Sequence, residues 1–287
     1  MQSNNPVFRR SEEFNRGGAN TYGNQTYAGG ASYPGGSDPS QWGVGTPGAP
    51  TTPQATGGPM TIDSTVQKTA ITLGTVIVFA FLTWVLTPAI DTATTAEDLS
   101  GLYAAVTIGA LGAFLLSMVN SFKRVISPAL VLAFAALEGV ALGGLSKVFD
   151  AQFGGGIVTQ AVIGTFAAFA GTLAAYKFFN IQVGQKFRTF VVAAVFGMVA
   201  LSLLELVLGF FGPSLGLYGF GGVGLLFSLA GLVLGVFMLI LDFDFVEQGV
   251  ANRVPERESW RAAFAMTVSL VWIYTNLLRL LAIFSQD

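Results

Sequence analysis

The chain contains no cysteine and no histidine among its 287 residues. These absences exclude disulfide frameworks, Cys/His zinc sites, thiol nucleophiles, Ser-His-Asp catalysis and the HExxH metalloprotease helix. Charged residues make up only 10% of the chain, against about a quarter in a soluble domain, which excludes an ordinary soluble globular protein. The net charge of −2 argues against a nucleic-acid partner. Neither a GK[ST] phosphate loop nor a GxSxG motif occurs, so no enzyme and no cofactor is predicted.

The first 60 residues differ from the rest of the chain in composition. They hold 12 of the 36 glycines and 7 of the 11 prolines, and they contain no long apolar run. Such a segment cannot bury enough apolar surface to offset the entropy lost on ordering. We therefore predict two regions, a disordered Gly/Pro-rich tail over residues 1–60 and a membrane domain over residues 61–287.

Long apolar stretches follow one another from residue 69 onwards. At ~1.5 Å per residue, a helix of about 20 residues crosses the ~30 Å hydrocarbon core of a bilayer. The sequence therefore predicts an all-α, polytopic membrane protein with a bundle of seven transmembrane helices. GxxxG patterns at Gly139–Gly143 and Gly231–Gly235 favour close helix packing. The predicted spans are 69–88, 101–119, 128–149, 157–179, 189–211, 221–245 and 262–284.

Basic residues indicate the orientation of these spans. Twelve of the 14 Lys and Arg residues lie in the tail or in loops on one side, whereas Lys147 and Arg279 lie towards the other. Because cytoplasmic loops carry the excess of Lys and Arg, we predict a cytoplasmic N-terminus and an external C-terminus. The predicted location is the cell membrane, with the lipid bilayer as the surrounding partner.

Four acidic residues lie inside the predicted spans, namely Glu138, Glu205, Asp242 and Asp244. Burying a charge in a span costs at least ~2.5–3.5 kcal/mol, so such residues mark functional sites. The helical rise places Asp242 ~5 Å, Glu138 ~15 Å and Glu205 ~24 Å from the cytoplasmic ends of their spans. If these acids face one interior, they form a path for cations or protons.

Three of the acids also have a structural interpretation. Asp244 lies close enough to the interface to be solvated, and Asp242 could pair with Arg253 or Arg257. Glu138 could be a protonated, hydrogen-bonded packing residue. Asp242 and Asp244 project about 200° apart around one helix, so they cannot meet as the two acids of an intramembrane aspartyl protease must.

Glu205 has a candidate counter-charge in Arg279. Helical rise places Arg279 ~25 Å along the last span, at nearly the same level as Glu205. The two could form an intramembrane ion pair that neutralises both charges. Alternatively, Arg279 extends to the outer interface as a snorkelling side chain.

Several segments resemble the Bax inhibitor-1/YccA family. LILDFDFVEQGV, followed by a short basic loop and a span ending in NLLRLLAIF, resembles the last third of that family. The opening NPVF, the Gly-rich tail and ALEGVALGGLS in span three resemble a bacterial branch. The resemblance covers about residues 62–287 and the NPVF motif. It implies a seven-helix bundle, with one helix enclosed by the others, that leaks calcium in a pH-sensitive way.

The resemblance also points to individual residues. Asp242, with Val246 four residues later, matches the family motif that closes span six. The position of a second family aspartate, about ten residues before Arg279, is occupied here by Ser269. Either Asp244 or Glu138 replaces that carboxylate, or this protein gates differently. The resemblance implies that Asp242 is the cytoplasmic-side cation and proton site.

Glu138 is then the mid-path carboxylate, and calcium is the metal ion that Asp242 and Glu138 would bind. The sequence is interpreted as a pH-sensitive calcium leak channel whose membrane-embedded carboxylates control cation passage. Two alternatives stay open. A proton-coupled secondary transporter would also need mid-membrane acids, although no inverted repeat is evident. A non-transporting regulator or scaffold would act through the tail and through helix contacts.

Overall fold

The computed structural model describes residues 58–90, 94–95, 97–154, 156–212 and 214–286. The predicted tail lies outside the described residues as far as residue 57. The described part is all-helical, and seven of its helices are long and apolar enough to cross a membrane, as predicted. They are α1 (Ile62–Leu86), α2 (Ser100–Phe122), α3 (Pro128–Phe153), α4 (Ile157–Phe178), α5 (Gln185–Phe211), α6 (Gly222–Ala251) and α7 (Glu258–Phe284).

Several helices extend beyond the apolar stretches that predict them. Helix α1 begins at Ile62 and not at residue 69, because Thr61 and Ser64 form a capping box. The Thr61 hydroxyl accepts the Ser64 N–H at 3.0 Å, and the Ser64 hydroxyl accepts the Thr61 N–H at 3.2 Å. These bonds satisfy orphan backbone groups of a polar first turn that hydropathy does not detect.

Helix α7 is the enclosed helix that the resemblance implies. Its backbone closely contacts α1, α3, α4 and α6, and residues such as Ile273 and Leu278 are fully buried. Among the described helices, α2 makes close backbone contacts with α3, and α5 makes them with α6. Their outer faces carry exposed apolar side chains, among them Leu115 and Phe196. This arrangement fits a bundle whose outer surface is covered by lipid.

Both predicted GxxxG patterns lie at close helix contacts. A Cβ atom at Gly139 would collide with the carbonyl oxygen of Val76 in α1. A Cβ atom at Gly143 would collide with the carbonyl oxygen of Ala80, also in α1. In α6, a Cβ atom at Gly231 would collide with the Asn276 side chain of α7. The absence of side chains at these positions allows α1 to approach α3 and α6 to approach α7.

The segment Gly58–Met60 belongs to the membrane domain, which corrects the predicted boundary at residue 60. The Met60 N–H donates to the Val254 carbonyl at 2.7 Å, and the Glu256 N–H donates to the Gly58 carbonyl at 2.9 Å. The Met60 side chain is 1% exposed and joins the core cluster that contains Phe243. Composition did not reveal this anchor because it depends on one apolar side chain and two backbone bonds.

Lys147 connects α3 to the end of α1. Its ammonium group donates to the carbonyl oxygens of Trp84 at 2.7 Å and of Thr87 at 2.6 Å, and to the Thr87 hydroxyl at 3.0 Å. A cation at a helix C-terminus satisfies the last carbonyls and complements the helix dipole. This buried charge therefore has a structural partner.

Candidate ion path

Asp242 in α6 and Ser269 in α7 are direct partners. The Ser269 hydroxyl donates to the Asp242 carboxylate (Oδ2) at 2.6 Å. The position where the resemblance expects a second aspartate thus faces Asp242, but it supplies a hydroxyl. Among the described residues, neither Arg253 nor Arg257 forms an ion pair with Asp242.

The helix that carries Asp242 is longer than its predicted apolar span. Helix α6 continues to Ala251, six residues beyond the predicted end at residue 245. Asp242 therefore lies nine residues before the helix end, or about 14 Å at ~1.5 Å per residue. This distance exceeds the predicted ~5 Å because it is measured to the end of the helix, and α6 continues past its apolar stretch to the loop that anchors Met60.

Asp242 lines a cavity of about 240 Å³ between α2, α6 and α7. Ser117 and Ser121 of α2 form one wall, and Phe264 and Val268 of α7 form another. Helices α2 and α6 make no close backbone contact in the described part of the chain, so the cavity occupies the space between them. Asp242 as a whole residue is half-buried and is one of the residues that line this space.

Glu138 lines a second cavity of about 290 Å³, between α2, α3 and α7. Phe134, Trp272 and Thr275 are among its other lining residues. Within the described residues, Glu138 accepts no hydrogen bond and forms no ion pair, so it is not a hydrogen-bonded packing residue. Both cavities are lined by Ser117, which makes them neighbours.

Asp244 does not face either cavity. Its Oδ2 atom accepts a hydrogen bond from Arg188 of α5 at 2.8 Å and another from Gln248 at 2.7 Å. At 7% exposure, Asp244 is not simply solvated. The prediction that Asp244 lines the path, or replaces the missing carboxylate beside Asp242, is therefore corrected: Asp244 attaches α5 to α6.

Glu205 and Arg279 lie at one level, but the predicted direct ion pair is wrong. The Glu205 carboxylate accepts the backbone N–H groups of residues 215, 216 and 217 at 2.8, 3.0 and 3.2 Å. Arg279 donates to the Leu217 carbonyl at 2.6 Å and lies 4.8 Å from the Tyr218 ring centroid. Both side chains therefore bind the loop between α5 and α6. Glu205 lies outside the two cavities, and Arg279 is not free to snorkel.

Arg261 connects α7 to the C-terminal end of α2. Its guanidinium group donates to the carbonyl oxygen of Arg124 at 3.1 Å and to that of Lys123 at 3.4 Å. It also forms an ion pair with Glu258 at 2.8 Å. Because α2 makes close backbone contacts with α3 alone among the described helices, this connection to α7 helps fix the α2 wall of the Asp242 cavity.

Sequence reasoning did not select Ser117 and Ser121. The signal that could have found them is their four-residue spacing, which continues from Ala113 and places all three residues on one face of α2. All three line one or both cavities. Small and hydroxyl-bearing residues on one face of an otherwise apolar span are typical of a face turned towards other helices.

The geometry of the acids bears on the predicted calcium ligands. Among the described residues, no group of three or more Asp, Glu, His or Cys side chains could hold a metal ion together. A resident calcium ion takes about six to eight oxygen ligands. Asp242 and Glu138 line different cavities, so they do not form one joint calcium site.

The sequence matches the family described as Bax inhibitor 1 like over residues 5–286. A relative from Chlamydia muridarum (strain MoPn / Nigg), described as an uncharacterized protein, is 31% identical over 159 residues. That similarity covers 53% of this chain and 63% of the relative, so the chain spans less than two thirds of the relative's length.

Proposed function

The chain belongs to the Bax inhibitor 1 like family, and we propose that it is a channel through which cations, calcium among them, leak across the membrane past Glu138 and Asp242. The observation that supports this proposal is the pair of adjoining cavities, each of which contains one of these acids. Acids inside a membrane are costly and are retained where they face a water-filled or ion-conducting space. No catalytic reaction is part of the proposal.

Ser269 sets how Asp242 acts in this channel. The serine hydroxyl donates to one carboxylate oxygen, so the other oxygen stays available to a passing cation. A proton on Asp242 removes the charge that attracts the cation, and the flux therefore depends on pH. Because the partner is a hydroxyl and not a second carboxylate, the proton is not shared between two acids here.

The direct test is calcium flux into liposomes that contain the purified full chain and an entrapped calcium-sensitive dye. We expect flux in the wild type and a smaller, less pH-dependent flux in Asp242→Asn, which keeps the shape of the side chain but not its charge. Glu138→Gln should also reduce the flux. Asp244→Asn is the matched control, since it neutralises the same residue type on the same helix but off the cavities.

A second variant examines the serine itself. Ser269→Asp places a second carboxylate where the hydroxyl now lies 2.6 Å from Asp242. Two carboxylates at that distance cannot both stay ionised easily, so they titrate as a coupled pair. We expect the pH profile of the flux to move relative to the wild type. Ser269→Ala removes the hydrogen bond without adding an acid and separates the two effects.

Each outcome of these assays has a clear meaning. If the folded wild type passes no calcium and no other cation, the channel proposal is wrong and the alternative of a non-transporting regulator is favoured. Counter-flow of a solute that requires a proton gradient would favour the transporter. Equal flux and equal pH dependence in wild type and Asp242→Asn would exclude Asp242 from the path.

A further inference from the structure

The Asp242 and Glu138 cavities adjoin at one place on α2 and α7. Ser117 of α2 and Val268 of α7 line both of them. Of these two residues, only Ser117 is polar, so it is the one hydroxyl that borders both cavities among the described residues. Its hydroxyl donates to the Phe114 carbonyl of its own helix at 2.8 Å, which leaves the oxygen free to accept from, or coordinate, another group.

We propose that water and cations pass between the two cavities at Ser117, and that the gap between Ser117 and Val268 is the narrowest part of the path. A cation that leaves one carboxylate for the other must keep oxygen ligands, because hydrocarbon offers none. The Ser117 oxygen supplies such a ligand midway. The cation part of this inference rests on the proposed function, whereas the water part does not.

The lack of native cysteine allows a direct test of water access. Ser117→Cys introduces the only thiol of the chain with almost no change in shape. Thiol reagents attack the ionised thiolate, which forms in water and not in hydrocarbon. The probe is a positively charged methanethiosulfonate, applied to the protein in detergent and, after reconstitution, from both sides of the vesicles.

Leu115→Cys provides the matched control. Leu115 lies two residues away on the same helix, is 63% exposed and faces the lipid side of α2. The two positions therefore have almost the same depth but different surroundings. We expect the Ser117→Cys thiol to react at least about tenfold faster than the Leu115→Cys thiol, since only the former can ionise in a wet cavity. Equal, slow rates at both positions would overturn the proposal.

Flux gives a second and separate measurement. Ser117→Leu should fill the gap without touching Asp242 or Glu138, and we expect the calcium flux to fall at least about tenfold because a dry apolar constriction blocks ions. Ser117→Ala keeps the gap open and should lose less. The melting temperature in detergent checks that each variant is folded, and Ser117→Val replaces Ser117→Leu if the larger side chain prevents folding.

The two measurements separate the inference from the proposed function. A fast thiol reaction in a protein that conducts no cation would support the wet connection and contradict the channel. Wild-type flux that persists in folded Ser117→Leu and Ser117→Val would overturn the connection while the channel stands. Reaction of the Ser117→Cys thiol followed by loss of flux would support both.

Discussion

Glu205 holds the loop between α5 and α6 through its carboxylate. Its carboxylate accepts three backbone N–H groups, from residues 215–217, within a loop that follows α5. Gly212 and Gly216 adopt φ values of +101° and +76°, which direct this loop back over α5. Glu205→Gln keeps the size of the side chain but replaces one acceptor oxygen by a donor NH₂ group that faces N–H donors.

The expected loss follows from these bonds. Hydrogen bonds to a charged group contribute about 1.5–3 kcal/mol each, but the loop amides can partly regain hydrogen bonds to water when the carboxylate is lost. We therefore expect Glu205→Gln to lower the unfolding free energy by about 2–3 kcal/mol. For a domain of this size that is a fall of about 4–12 °C in melting temperature. The assay is thermal unfolding in detergent, with Glu97→Gln as a control on an exposed carboxylate.

Arg279 extends the experiment to a double-mutant cycle. Arg279→Gln removes the bond to the Leu217 carbonyl and the contact with Tyr218. Because Glu205 and Arg279 share a loop but not a contact, we expect a coupling energy of about 0.5–1.5 kcal/mol, less than a buried direct pair would show. An unchanged melting temperature in Glu205→Gln would refute the claim that the three loop N–H bonds to Glu205 stabilise the fold. A coupling above about 3 kcal/mol would restore the direct ion pair.

Three further predictions concern packing, the N-terminal anchor and topology. Gly139→Ala should lower the unfolding free energy by about 1–3 kcal/mol, measured by melting in detergent, because its Cβ atom would collide with α1. Gly197→Ala is the control and should have no such effect, since open space surrounds Gly197. Met60→Ala should cost about 2–5 kcal/mol by emptying a buried site, and a wild-type melting temperature in this variant would contradict the anchor. A reporter fused after Asp287 should be active only outside the cytoplasm, and cytoplasmic activity would reverse the predicted orientation.

The number and order of the spans followed from the sequence alone. Hydropathy measures how apolar a stretch is along the chain axis, and seven long stretches separated by polar loops leave one architecture in a bilayer. Helical rise also placed Glu205 and Arg279 at the same level, which the structure confirms through their shared loop. The depth of a residue along its span and the side of the helix on which it lies depend on one helix at a time, so both can be predicted from the sequence.

What surrounds each charged side chain was decided only by the tertiary structure. Sequence spacing shows that Asp242 and Asp244 point to different sides of α6, but not that Ser269 lies on one side and Arg188 on the other. Depth alone predicted Arg279 as the partner of Glu205. In the structure Glu205 instead accepts hydrogen bonds from backbone N–H groups of a loop, whose position composition cannot predict. Partners depend on which helices are neighbours and how they are rotated, and that is fixed by the packing of all seven helices together.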